Sequence, residues 1–487
     1  MVVTMQYIIQ GYEPKKFFEH FEEISAIPRG SGNEKAISDF LVNFGKSLGL
    51  EVYQDEIWNV VIKKPGSKGA EDKPAVMLQG HMDMVCEKNS DVVHDFLRDG
   101  IELCVEDGRL HAKGTTLGAD NGNAVAMMMT LLEDETLVHP PLECVFTVQE
   151  ETGLTGAEKL DPALISARCL INMDSGGTGK ATVSCAGGLF VNLAHPCGWE
   201  PNSGPALKIS IRGLLGGHSG GEIHLGHVNS NKAMARILYM LSEKLDIRLC
   251  DIDGGSKDNA IPRECDAVVA FSSEQDLEDA LVLIEAEAVD LFHENSMVEK
   301  DFHVNVEPVK AARSMSRSAT DEIVKLLFLA PNGVKSRNVP AGDFVVSSLN
   351  MGVVKTLEDA VRVTFLPRSS VASLQEQTKK ELVLFAQLFH CAVEMGAEYP
   401  GWSYTEHSAI REIFRETYRE LTGGELVCES SHGGLECGLF SDKLNNLDAI
   451  AVGMDAADCH TPNESLDLAS CGKFYELITR VLEKLAK

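Results

Sequence analysis

What most limits the folds open to this chain is where its polar residues fall relative to the apolar runs of its first third. Short apolar runs at Ala75–Leu78, Leu142–Val148 and Cys169–Met173 are bounded by turn residues, with helical stretches between them at Asn123–Leu132 and near Ala157. That alternation predicts an α/β layer with a mixed, largely parallel sheet and helices on both faces. Just past the runs come His81 and Asp83, then Glu150 and Glu151, then Asp174, while Asp120 sits in a glycine-rich turn before the Asn123 helix. Open α/β sheets bind ligands beyond the carboxyl ends of their strands. Four separate segments are therefore expected to bring acidic or imidazole groups to one sheet edge.

Two further helices are expected upstream, where Phe17, Phe18, Phe21 and Ile24, then Ile37, Phe40, Leu41, Phe44 and Leu48, recur at helical spacing. From Ala206 the style changes. Strands are expected at Ala206–Ile211, Val268–Phe271 and through Phe302, Val304 and Val306, with helix faces over Met234–Leu245 and Leu277–Leu291. A similar order returns: a helix near Ile323–Leu329, strands near Val345–Val354 and Val361–Leu366, a helix at Leu374–Val393 and a strand near Ser403. Two strands followed by a helix is an α+β pattern. After Trp402 the first style resumes, with a helix near Ile410–Leu421, strands at Glu425–Cys428 and Asp448–Val452, a glycine-rich turn at His432–Gly438, and a last helix from Phe474 to Leu485. The length of 487 residues sets a prior of about three domains. The pattern instead predicts two: an α/β domain over 1–184 and 402–487, interrupted by an inserted α+β domain over 185–401.

Lys and Arg number 44 against 73 Asp and Glu, a formal charge of −29. Such a surface repels phosphate backbones and anionic lipid, which argues against nucleic-acid and membrane partners. No uncharged apolar run reaches the roughly 18 residues of a membrane span. Met1–Gln10 lacks a basic segment and a small-residue cleavage site, so no signal peptide is expected. The thirteen cysteines form no C-x-x-C pair and read as free thiols of a cytoplasmic protein.

The carboxylates Asp83, Asp120, Glu150, Glu151 and Asp174 would repel one another at one edge unless something neutralised them. A pair of divalent cations does so, and with His81 and His460 the donor set suits Zn²⁺, Mn²⁺ or Co²⁺. In His81-Met82-Asp83 the first and third residues of an extended segment face the same way, so Asp83 can hydrogen-bond a metal-binding His81. Adjacent Glu150 and Glu151 point apart, so one can ligate while the other acts as general base.

The series Gly80-His81-Met82-Asp83, Gly118-Ala119-Asp120-Asn121-Gly122, Glu150-Glu151-Thr152-Gly153, Asn172-Met173-Asp174 and the late His460 resembles that of the M20 metallopeptidases. Within them, Ser431-His432-Gly433-Gly434-Leu435-Glu436-Cys437-Gly438 and Asp258-Asn259-Ala260-Ile261-Pro262-Arg263 resemble the bacterial aminoacyl-histidine, or cytosol non-specific, dipeptidase branch. The resemblance implies a zinc-peptidase-like catalytic domain with an inserted lid, two metal ions per chain, and a homodimer formed through the lid. It gives His81 and Asp174 to one metal, Glu151 and His460 to the other, and Asp120 to both. Asp83 stands behind His81, and Glu150 is the general base toward a bridging water. From the lid, His218 is implied as an oxyanion donor. Asn259 and Arg368 are candidates for holding a dipeptide, a guanidinium being suited to its free carboxylate, and the turn Gly433–Gly438, with Gly433 and Gly434, is expected to offer backbone N–H groups to the same carboxylate. The substrates expected are unblocked dipeptides, Xaa-His dipeptides such as carnosine among them. An N-acyl-amino-acid amidohydrolase with the same centre, or a non-catalytic metal-binding protein of the same fold, are the rival readings.

Overall fold

A computed structural model describes residues 7–487, so the first six residues of the Met1–Gln10 stretch lie outside the described residues. The chain divides into two compact units. The first runs up to Ser184 and resumes over Tyr404–Ser430 and Leu435–Lys487; the second is Cys185–Ser403 with the four-residue piece Ser431–Gly434.

The first unit is an α/β layer around an eight-stranded sheet, ordered Glu51–Gln54, Val60–Lys64, Leu142–Thr147, Val76–His81, Cys169–Asn172, Asp448–Ala451, Lys180–Cys185, Val427–Ser431. Its centre is parallel: Val76–His81 lies between Leu142–Thr147 and Cys169–Asn172, and Asp448–Ala451 continues beyond the latter. The strands outside this centre pair antiparallel at Glu51–Gln54, Val60–Lys64 and Lys180–Cys185, so the sheet is mixed. Every residue of Val76–His81 and Leu142–Thr147 is buried. This explains why those segments read as unbroken apolar runs rather than alternating ones: both faces of a parallel centre are covered. Helix Ala119–Glu133 packs on Val76–His81 and on helix Lys15–Ser25, while Ala409–Thr422 packs on Asp448–Ala451 and on Leu468–Leu485. Met127, Met128 and Met129 are fully buried in a helix that is apolar all round, as a core helix should be. A smaller four-stranded sheet, Ala456–Ala457, Ser465–Asp467, Arg109–Ala112 and Leu103–Glu106, has no counterpart in the sequence reading, because its strands are only two to four residues long.

The second unit is α+β. Nine strands make one antiparallel sheet, including Gly187–Pro196, Ala206–Arg212, Phe344–Thr356 and Ala360–Ser369. Burial alternates along Gly187–Pro196 and Ala206–Arg212, the mark of a sheet with one covered face. Helices Ser230–Lys244, Glu274–Asn295, Arg317–Leu329 and Ala372–Leu388 pack on it. The Asn229 side chain caps the first of them by accepting the N–H groups of Asn231 and Lys232.

Three local expectations are corrected. The helix expected to reach Val393 stops at Leu388; His390 turns into the left-handed region (φ 51°), and Ala392–Tyr399 is an edge strand, so one apolar run covers two elements. Ser403 lies in no strand; its neighbour Trp402 makes a single bridge to Cys185. The glycine-rich turn at His432–Gly438 ends early, because helix Glu436–Lys443 starts inside it.

Candidate metal centre

All seven residues of the proposed metal set fall in the first unit. His81 is the last residue of its strand, Glu150 and Glu151 follow the strand ending at Thr147, and Asp174 follows the strand ending at Asn172. Asp120 is at the start of helix Ala119–Glu133, where the backbone departs from helical geometry. His460 lies in the loop joining Ala456–Ala457 to Ser465–Asp467, with a left-handed backbone (φ 64°).

Asp120 stands at the middle. Its Oδ1 is 3.1 Å from His81 Nε2, and its Oδ2 is 3.2 Å from His460 Nε2. His81 Nε2 also lies 3.6 Å from Asp174 Oδ1, and His460 Nε2 lies 3.1 Å from Glu151 Oε1. Two groups result, His81–Asp120–Asp174 and Asp120–Glu151–His460, each with one donor atom per residue within 4.8 Å of the others. Atoms about 2.0–2.2 Å from a common cation sit at such mutual distances. The residues present therefore fit two divalent ions that share Asp120. A third combination, His81–Glu150–Glu151, satisfies the same distance condition.

A polar frame holds these groups. Asp83 is buried; its Oδ1 is 3.3 Å from His81 Nδ1 and accepts the Glu150 N–H at 3.1 Å, while its Oδ2 accepts from Ser31 Oγ at 2.7 Å. His81 therefore presents Nε2 to the cluster. Glu464 accepts the N–H groups of Leu117, Gly118 and Asp120 at 2.7, 2.9 and 3.1 Å and so sets the Asp120 loop. Gly118 has φ 70°, and a Cβ there would sit 2.6 Å from the Arg29 guanidinium. Buried Arg29 donates to the carbonyls of Met82 and Gly118, tying the two ligand-bearing loops together. Asn121 Nδ2 donates to Asp174 Oδ1 at 2.8 Å. Arg29, Ser31 and Glu464 escape the sequence reading. The one signal was Glu464, an acidic residue four positions after His460.

Burial would depress His81, but Asp174, Asp120 and Asp83 win and hold it well above the usual imidazole range. Hydrogen bonds with Asp120 and Glu151 raise His460 to about 10. Burial works against Asp120, yet the two imidazoles keep it below the usual carboxylate range. Burial pushes Asp174 up to about 6 and Glu150 well above the ordinary glutamate value, and neighbouring carboxylates add to both. Protons thus occupy the positions a cation would take, and metal binding has to release them.

The substrate candidates lie in the second unit. His218, Asn259 and neighbouring residues line a cavity of about 860 Å³ there. Ser219 N donates to Asn259 O at 2.8 Å, and Arg368 Nε approaches Ser219 Oγ at 3.4 Å, so His218, Asn259 and Arg368 belong to one neighbourhood. Arg368 is buried, bonds Tyr399 OH at 3.1 Å, and makes no ion pair among the described residues. Gly434 packs on Tyr399, whose ring would lie 2.9 Å from an added Cβ. Two N–H groups of the turn already have partners: Gly433 N–H is taken by Ser431 Oγ at 3.2 Å, and Gly438 N–H by Leu435 O at 2.9 Å.

His432 beside these glycines is buried, with Nε2 2.7 Å from Ser348 Oγ. Burial, with help from Arg368, depresses it to about 3. The folded state thus refuses a proton that the unfolded chain accepts near pH 6.5, so stability falls as pH drops from 6.5 toward 3. Between pH 6.5 and 5 the wild type should lose about 2 kcal/mol more than His432→Gln, read from unfolding curves at each pH. Parallel losses would assign the acid limb to other groups.

Residues 77–484 match the model of "Peptidase family M20/M25/M40". The chain is 36% identical to the cytosol non-specific dipeptidase of Escherichia coli (strain K12), over 97% of this chain and 98% of that one. A crystal structure of aminoacylhistidine dipeptidase from Vibrio alginolyticus superposes with a TM-score of 0.91 at 33% identity, covering 97% of each chain. The aminopeptidase PepT of Bacillus cereus shares the fold, with a TM-score of 0.57 at 17% identity, over 98% of this chain and 100% of that one. The chain belongs to the M20/M25/M40 peptidase family and is a metal-dependent peptide hydrolase.

Proposed function

We propose that the chain is a cytoplasmic dipeptidase that hydrolyses unblocked dipeptides at a dinuclear centre, Xaa-His dipeptides such as carnosine included. The observation that carries this reading is Asp120, whose two oxygens face one imidazole each. In this reading His81 and Asp174 hold one ion and Glu151 and His460 the other, zinc being the first choice and manganese or cobalt the alternatives. When bound, the pair would supply Lewis acidity toward an amide oxygen and toward the attacking water. The names of the Escherichia coli and Vibrio relatives support the substrate class.

The chain's own residues then divide the work. Glu150, made more basic by burial, takes a proton from the attacking water and returns it to the leaving amine. The backbone carbonyl of Asp83 pairs with His81 Nδ1 at 3.2 Å, with the Asp83 carboxylate 3.3 Å from the same nitrogen, and together they keep that ring in one orientation. His218 is depressed by burial and by Arg368, so it is neutral; its Nδ1 accepts the Gly221 N–H at 3.1 Å, which leaves the proton on Nε2 as a donor for the developing oxyanion. Arg368, buried with no ion-pair partner among the described residues, is suited to the substrate's C-terminal carboxylate, and Asn259 to its backbone. The second unit is read as the lid that supplies these groups. Its exposed edge strand Ala392–Tyr399 is suited to a homodimer contact.

The test is a hydrolysis panel with apo-protein reconstituted by Zn²⁺, Mn²⁺ or Co²⁺ in turn. Unblocked dipeptides should turn over, and their C-terminal amides should be at least ~10-fold poorer, since the amide removes the charge Arg368 would pair. Faster cleavage of N-acetyl amino acids than of dipeptides would move the chain to the amidohydrolases.

A further inference from the structure

Beneath the ligand-bearing loops lies a polar chain none of whose side chains is a proposed ligand or the proposed base. Gln79, Thr147, Asn172 and Glu436 are all completely buried. Glu436 Oε2 accepts from Gln79 Nε2 and, at 2.8 Å, from Thr147 Oγ1. Gln79 Oε1 accepts from Asn172 Nδ2 at 2.6 Å, and Asn172 Oδ1 accepts the backbone N–H of Asp174 at 3.2 Å. The chain thus runs from Glu436 through two strand-end amides to the backbone of a proposed ligand. Gln79 precedes His81 by two residues and is the sheet partner of Asn172.

Glu436 is an unusual choice for a merely structural hub. No lysine or arginine among the described residues pairs with it, and its Oε1 has no hydrogen-bond partner among them. A buried carboxyl in that state is expensive, and an apolar side chain of similar volume would pack without the penalty. What the carboxyl adds is one oxygen that takes two donors at once and polarises the amides beyond it. The chain meets a proposed ligand directly at one place, the backbone of Asp174, and it includes the strand of His81; Thr147 ends the strand that leads to Glu150 and Glu151, but no hydrogen bond among the described residues joins Glu151 or His460 to the chain.

We propose that Glu436 is a positioning residue for the ion held by His81 and Asp174: through Gln79 and Asn172 it fixes the backbone of Asp174, so that this ion depends on it and the ion at Glu151 and His460 does not. The proposal rests on the dinuclear reading above. Partners of this kind, one step behind the ligands, typically change metal affinity by 10–100-fold.

The experiment is calorimetric Zn²⁺ titration of full-length apo-protein, with metal content after dialysis and thermal unfolding measured in parallel. Wild type should bind two ions per chain. Glu436→Gln keeps an acceptor oxygen for both donors and should bind both ions within about threefold of wild type. Glu436→Leu, and independently Gln79→Leu, should weaken one ion about 10–100-fold and leave the other unchanged. Adding Glu436→Leu to Asp174→Ala should weaken binding no further, whereas adding it to Glu151→Ala should. Unchanged binding of both ions in the two leucine variants, or equal weakening of both with a general loss of stability, overturns the proposal. A wild type that binds a single ion instead removes the dinuclear reading itself.

Discussion

Replacing Glu150 by glutamine should lower kcat roughly 10²–10⁴-fold while two metal ions remain bound. The amide keeps the shape and the backbone bond to Asp83, so the loop should stay in place. What it loses is the ability to take a proton. In the metal-free fold burial first, and then the charges of Asp174, Glu436 and Glu151, hold the proton on Glu150 against the opposing charge of His81. The decisive measurement is kcat together with metal content on the same sample. Glu150 also lies within ligand distance of His81 and Glu151. If the glutamine variant loses a metal ion along with activity, Glu150 is a ligand and another group must serve as base.

Replacing Asp120 by alanine should remove both ions at once. It is the residue shared by both donor groups, so its loss leaves two donors on each side, His81 with Asp174 and Glu151 with His460. Since even indirect partners change metal affinity 10–100-fold, loss of a direct one should exceed ~100-fold at both sites. Activity at fixed metal should fall by more than ~10³-fold, beyond what either single-site loss produces. His460→Ala, by contrast, should leave the His81–Asp174 ion near wild-type affinity. Metal content after dialysis distinguishes the two patterns. Retention of one tight ion by the Asp120 variant would show that the two sites do not share it.

Much of this site was legible in the residues because the sheet's logic is local. Val76–His81, Leu142–Thr147 and Cys169–Asn172 are buried on both faces, so each shows as an apolar run, and the residues just past each run must lie at the carboxyl edge. His81, Glu150, Glu151 and Asp174 could be placed on that ground alone. His460 could not, since the Ala456–Ala457 and Ser465–Asp467 strands that present it are too short to leave a periodic trace. Arg29 left no trace, and Glu464 only its nearness to His460, for another reason. Their task is to bond the backbone of distant loops, and nothing in a neighbouring residue type records a bond 89 or 344 positions away. The error at Leu374–Val393 has a similar origin: apolar residues run across the helix end at Leu388 and into an edge strand, and only the backbone turn at His390 separates the two.

The division of the chain bears on how this architecture can be taken apart. Ser431–Gly434 counts with the second unit although the chain on either side counts with the first. Its anchors are there too: His432 meets Ser348, and Ala186 N–H bonds the carbonyls of Ser431 and Gly433. Cutting out 185–403 and joining the ends would therefore not yield a minimal catalytic module. It would leave a four-residue orphan, with an imidazole suited only to a dry pocket, spliced between the last strand of the large sheet and the helix that opens with Glu436. Cys185–Ser403 and those four residues make one compact unit, although Tyr404–Ser430 of the other unit separates them in the chain. Any chimera that exchanges 185–403 between relatives has to carry those four residues along.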